Sequence, residues 1–178
     1  MKKILFASAA AAVAFAAQPA MAQITPAPDE ELVINLAGTV PSVCDLTPEG
    51  STNYTVDMLD GSNQGNLVIA YSCNSPYTVS LESLHGGMRH DESSGAVNIP
   101  YQIESIGFDP GGINADVTQS TAMNGTPVVI ANVTSWQNIL ANLGVRYGEL
   151  DLNFPNPAEY NVAGTYEDEL TITLSANL

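Results

Sequence analysis

Apolar and polar residues alternate with period two through most of the chain, and sustained helical periodicity is absent. The most regular run closes the sequence: Leu170, Ile172, Leu174, Ala176 and Leu178 fall on one face, and Glu169, Thr171, Thr173, Ser175 and Asn177 on the other. The same reading predicts strands over 32–36, 39–46, 54–59, 66–73, 77–84, 97–106, 126–133, 145–154 and 169–176, separated by clusters of Gly, Asn, Asp, Ser and Pro. One helix is predicted over 135–143, with Ser135 as cap and Trp136, Ile139, Leu140 and Leu143 sharing a face before Gly144 ends the turn. The stretch 107–125, rich in Gly, Asn, Asp, Ser and Thr, reads as a long connection. These elements predict an all-β protein, a sandwich of many short strands.

The opening residues interrupt this pattern. Lys2 and Lys3 precede an Ala-rich apolar run, and Ala20-Met21-Ala22 is a small-x-small site, so residues 1–22 read as an export signal with a processed chain beginning at Gln23. The apolar run is too short to span a bilayer. Residues 23–38 then form an arm and hinge, and 39–178 one β domain. Within the arm, Leu32, Ile34 and Leu36 alternate with Glu31, Val33 and Asn35, behind a start that contains Pro26 and Pro28. Proline cannot donate to a ladder, so an inserting arm would pair over 29–36, with Ala37-Gly38 as hinge. A single bent first strand over 32–46 is the competing reading. The closing strand either pairs on both sides or leaves an apolar edge open to association, and pattern alone leaves both possibilities standing.

Charge narrows the partners. The 178-residue chain has 19 acidic and 4 basic residues. Lys2 and Lys3 lie in the signal, so residues 23–178 keep Arg89 and Arg146 against all 19 acids, a formal charge of −17. Nucleic acid and anionic membrane surfaces are poor partners for such a surface. Cys44 and Cys73 in an exported chain read as one disulfide. Both lie in the first half, unlike the widely spaced pair that staples antibody-type domains.

Catalytic chemistry is not evident. There is no Gly-x-Ser-x-Gly elbow, and His85 and His90 read as parts of a solvated loop. The acidic runs 29–31 and 167–169 read as solvated edge charge, because neighbours on a strand point to opposite faces. Asp57 and Asp60-Gly61 read as a turn, lacking a calcium-loop pattern. No catalytic residue, metal site or cofactor is predicted. Trp136 and Tyr147, as isolated aromatics, are expected in the core, the alternative being exposed aromatics on the middle loops that bind a surface.

Several segments carry a family resemblance: Gly38-Thr39-Val40 ahead of Cys44; Cys73 followed by Tyr77-Thr78-Val79-Ser80-Leu81; Gly86-Gly87-Met88-Arg89 leading to Ile99-Pro100-Tyr101-Gln102; and Ala163-Gly164-Thr165-Tyr166-Glu167-Asp168-Glu169-Leu170-Thr171-Ile172-Thr173-Leu174. With these the chain resembles the spore coat protein U family, which includes subunits of archaic chaperone-usher pili; residues 107–154 depart from the family pattern. The resemblance implies an immunoglobulin-like sandwich lacking its final strand, completed by donor-strand exchange. It implies a periplasmic chaperone, an outer-membrane usher and neighbouring pilin subunits as partners, with an exported product at the cell surface. Leu32, Ile34 and Leu36 would be the donor side chains; Leu170, Ile172, Leu174 and Leu178 would form the acceptor groove and chaperone-contacting strand. The alternative is a secreted coat or binding β-sandwich that does not polymerise.

Overall fold

Strand-forming alternation becomes sheet structure through which side chains each strand can bury. In the computed structural model, which describes residues 34–58, 63–110, 116–155 and 162–177, eleven strands and one short helix are present among the described residues. They are β1 (Cys44–Pro48), β2 (Asn63–Cys73), β3 (Tyr77–Ser83), β4 (Met88–His90), β5 (Asn98–Ile99), β6 (Gln102–Ile106), β7 (Asp116–Gln119), β8 (Val128–Val133), α1 (Trp136–Ala141), β9 (Arg146–Asn153), β10 (Tyr166–Glu167) and β11 (Leu170–Ala176). The protein is all-β.

One sheet has five antiparallel strands in the order β1-β2-β9-β6-β7. A second has three, β11-β3-β8, and a small third has β10-β4-β5. In β3, Tyr77, Val79, Leu81 and Ser83 are buried and the residues between them are not, the period-two signature of a strand with one covered face. Ile69, Tyr71, Ile103 and Leu150 of the five-stranded sheet meet Tyr77, Val79, Leu81, Ile130 and Val133 of the three-stranded sheet in one core. Ile139 is the one side chain α1 contributes to it.

The Cys44–Cys73 disulfide joins directly opposed residues of β1 and β2. A three-residue course 74–76 then leads from β2 into β3, and Asn177 N–H donates to Pro76 C=O. This disulfide end also holds the chain ahead of β1. Val43 N–H donates to Asn74 Oδ1 (2.8 Å), Asn74 Nδ2 to Pro41 C=O (3.0 Å), and Asn74 N–H to Val43 C=O (3.1 Å).

Several expectations change. Ile34–Leu36 has no strand and Ile34 and Leu36 are exposed, while Leu32 lies outside the described residues. The expected first strand over 39–46 starts only at Cys44, because Pro41 cannot donate and Val43 is tied to Asn74 instead of a ladder. Tyr54–Met58 is irregular, although Val56 and Met58 still pack on the core. Pro100 divides the predicted strand 97–106 into β5 and β6. The connection 107–125 contains β7 and a 3₁₀ turn at Ser120–Met123. Strands β4, β7 and β10 are too short for a periodicity argument to reveal.

Candidate functional site

Strand β11 presents its two edges to different surroundings. One pairs along its whole length with β3, Leu170 opposite Ser83 through Ala176 opposite Tyr77. No strand among the described residues pairs with the other. Across from it, β1 pairs among the described residues only with β2, so two edges without a strand partner there flank an opening between the five- and three-stranded sheets.

The side chains beneath the opening are apolar for the same reason the strands form. Leu170, Ile172 and Leu174 are half-buried against the core, and Thr171, Thr173 and Ser175 between them are exposed. Leu170 and Ile172 join Leu46, Leu67, Ile69 and Leu152 around an open furrow of about 520 Å³. Tyr54, Val56, Met88 and Phe154 extend its lining. The furrow thus combines apolar walls with rims that no strand among the described residues pairs.

One end is closed by a hydrogen-bonded carboxylate. Asp168 Oδ2 accepts from Ser83 Oγ (2.6 Å) and Tyr101 O–H (2.8 Å), and Oδ1 accepts from the N–H groups of His85 (3.0 Å) and Glu169 (2.9 Å). Ser83 Oγ in turn accepts from Gly86 N–H at 2.7 Å. Four donors gathered on one carboxylate fix the start of β11 to the end of β3 and to the segment ahead of β6. Burial raises the Tyr101 phenol above its ordinary value of 10.0, and the adjacent Asp168 carboxylate raises it further.

At the disulfide end the guanidinium of Arg146 lies over the rings of Tyr71 (5.0 Å to the centroid) and Tyr77 (5.3 Å). Its nitrogens are buried and have no hydrogen-bond acceptor among the described residues, and the aromatic faces offer cation–π contact. The two hydroxyls hold the neighbouring backbone: Tyr71 donates to Gly107 C=O (2.7 Å) and Tyr77 to Phe108 C=O (2.9 Å). Burial raises both phenols above 10.0, with Arg146 opposing the shift in each.

Of the residues predicted to form the groove, the structure brings Leu170 and Ile172 together in its wall. Leu174 packs on the core beyond the furrow's lining, and Leu178 lies outside the described residues. The partner wall of Leu46, Leu67 and Leu152 was not predicted, although alternation through 39–46, 66–73 and 145–154 carried the signal. Three expectations are overturned. Asp168 is an internal acceptor, not solvated edge charge. His90 is a buried strand residue: Nδ1 accepts from Ser93 N–H (3.1 Å) and Nε2 lies 3.1 Å from Ala163 C=O. Trp136 and Tyr147 are exposed: Ile139 alone anchors the helix to the core, and Tyr147 takes an outward position of β9 ahead of buried Gly148.

Among the described residues no group of three or more His, Cys, Asp or Glu is arranged to hold a metal ion, and no helix is long and apolar enough to cross a membrane. No protein-family model matches the chain, and no curated protein sequence matches it.

Proposed function

We propose that this chain is a structural subunit of a bacterial surface pilus, exported and assembled by a chaperone-usher pathway through donor-strand exchange, and serving adhesion or biofilm formation. The observation that carries the reading is the apolar furrow between the unpaired edges of β1 and β11. In this reading the domain is an immunoglobulin-like sandwich lacking its last strand, and the furrow is the vacant strand position. An extended segment laid there gains ladder hydrogen bonds from the rims and places alternate side chains against Leu46, Leu67, Leu152, Leu170 and Ile172.

The arm of a neighbouring copy supplies a matching pattern. Leu32, Ile34 and Leu36 are the donor side chains, and each fully buried one contributes about 1.5–3 kcal/mol. Exposure of Ile34 (69%) and Leu36 (92%) in the single chain is consistent with side chains awaiting a site elsewhere. Because furrow and arm are different surfaces of one molecule, the contact is head to tail and grows an open filament. A periplasmic chaperone would occupy the furrow first, and an outer-membrane usher would exchange it for the arm. Catalysis, a cofactor and a metal play no part in this reading.

Deleting residues 23–36 while keeping the export signal tests the assignment. Surface filaments should disappear while a chaperone-bound subunit persists. Filaments of normal abundance would overturn the arm assignment. A cooperatively folded full-length monomer that never forms ladders would instead favour a non-polymerising coat or binding module.

A further inference from the structure

A group of exposed apolar side chains lies on α1 and the residues that follow it. On α1 and the turn after it, Trp136 (56%), Leu140 (67%) and Leu143 (61%) stand at spacings of four and three, one stripe turned away from the core that Ile139 enters. Val145, ahead of β9, and Tyr147, its second residue, are also exposed. Single exposed hydrophobes need no explanation, but a contiguous group marks an interaction surface. From Val117 to Val145 the sequence has no charged residue, in a chain whose formal charge is −15. Two acidic copies repel least where a contacting face carries no charge.

We propose that the end formed by α1 and residues 41–43 is a second contact surface for a neighbouring copy of this chain, meeting that copy at its opposite, Asp168 end. This rests on the strand-exchange reading, which sets the geometry. A donor strand running antiparallel to β11 places Leu36 nearest Leu170 and Asp168 of the recipient. The tether then returns to the donor's own disulfide end, where Asn74 pins Pro41 and Val43. From Leu36 to Pro41 are five residue steps, which span at most about 17–18 Å when fully extended. So short a tether brings the α1 end of the donor against the recipient's furrow mouth. Leu84, which follows β3 and donates its N–H to Glu169 C=O beside that mouth, is exposed and offers an apolar counterpart. The stripe is therefore a docking face, separate from the furrow, that sets the angle between successive copies once the strand is inserted.

Trp136 is the only tryptophan, so its fluorescence reports this surface without any substitution. Acrylamide quenching is compared between size-separated monomeric and filamentous fractions of the full chain. Several-fold weaker quenching in filaments, with a blue-shifted emission, is the expected result; equal quenching overturns the proposal. In the paired substitution Leu140→Asp with Leu143→Asp, both at exposed positions, ladders resistant to unheated detergent should persist while filaments become shorter and more curved. Filaments of unchanged length and curvature also overturn it. If the unsubstituted chain forms no ladders, the strand-exchange reading falls and this contact with it. If ladders form while Trp136 stays fully quenchable, only the α1 contact falls.

Discussion

Asp168 shows how much one residue's meaning depends on its neighbours. In sequence it sits between Glu167 and Glu169 and looks like surface charge. In the fold it takes hydrogen bonds from Ser83, Tyr101, His85 and Glu169. Asp168→Ala strands the Ser83 and Tyr101 hydroxyls, and should lower unfolding free energy by about 2–3 kcal/mol, read from the urea midpoint. The buried phenols of Tyr71, Tyr77 and Tyr101 make a second prediction. Each is held neutral in the folded chain with its pKa raised above 10.0, mainly by burial. The unfolded chain loses these protons first, so their contribution to stability is complete below pH 10.0 and is lost as pH rises beyond it. Urea midpoints measured across that alkaline range should fall steadily, and Tyr101→Phe should make the fall shallower.

At the scale of elements, the long strands were legible and the short ones were not. β2, β3, β8, β9 and β11 each carry enough alternating residues to declare a face, and their observed bounds fall close to the predicted ones. β4 and β10 have three and two residues, so they exist only through their partners, β10 on β4 and β4 on both β10 and β5. The helix was found at its place, capped by Ser135 Oγ accepting from Asn138 N–H (3.3 Å), but its exposed face was not. An apolar stripe looks the same in sequence whether it faces the core or a partner. The disulfide closes a loop of sequence separation 29 within one sheet. Removing it with Cys44→Ser and Cys73→Ser together should lower stability by about 3–4 kcal/mol in denaturant titration. In the furrow wall, Ile172→Asp places a charge where an apolar side chain is to pack. Ladder formation should fall at least tenfold, measured on unheated detergent gels, because burying an unpaired carboxylate opposes the inserted strand by well over about 1.4 kcal/mol.

For the whole molecule, charge governs encounter and the furrow governs capture. Copies with 19 acidic residues against 4 basic ones repel at low ionic strength. Screening lengths shrink from about 30 Å at 0.01 M salt to about 8 Å at 0.15 M. Assembly followed by light scattering should therefore accelerate over that interval. Strand insertion itself is driven by apolar burial and backbone pairing, so the stability of completed ladders should change little over the same salt range.

The sequence by itself determined the all-β class, the disulfide pair, the long strands and the amphipathic character of β11, because a period-two pattern is local and survives without knowledge of neighbours. Only the tertiary structure decided that β11 has one paired and one open edge, that β1 lies across from it, and that Leu46, Leu67 and Leu152 complete the apolar wall with Leu170 and Ile172. Those facts depend on strand order, in which β2 pairs with β9 and β6 with β9 across large separations along the chain. Alternation records that a strand has a face to bury, whereas the identity of what covers that face is a property of the assembled sheets.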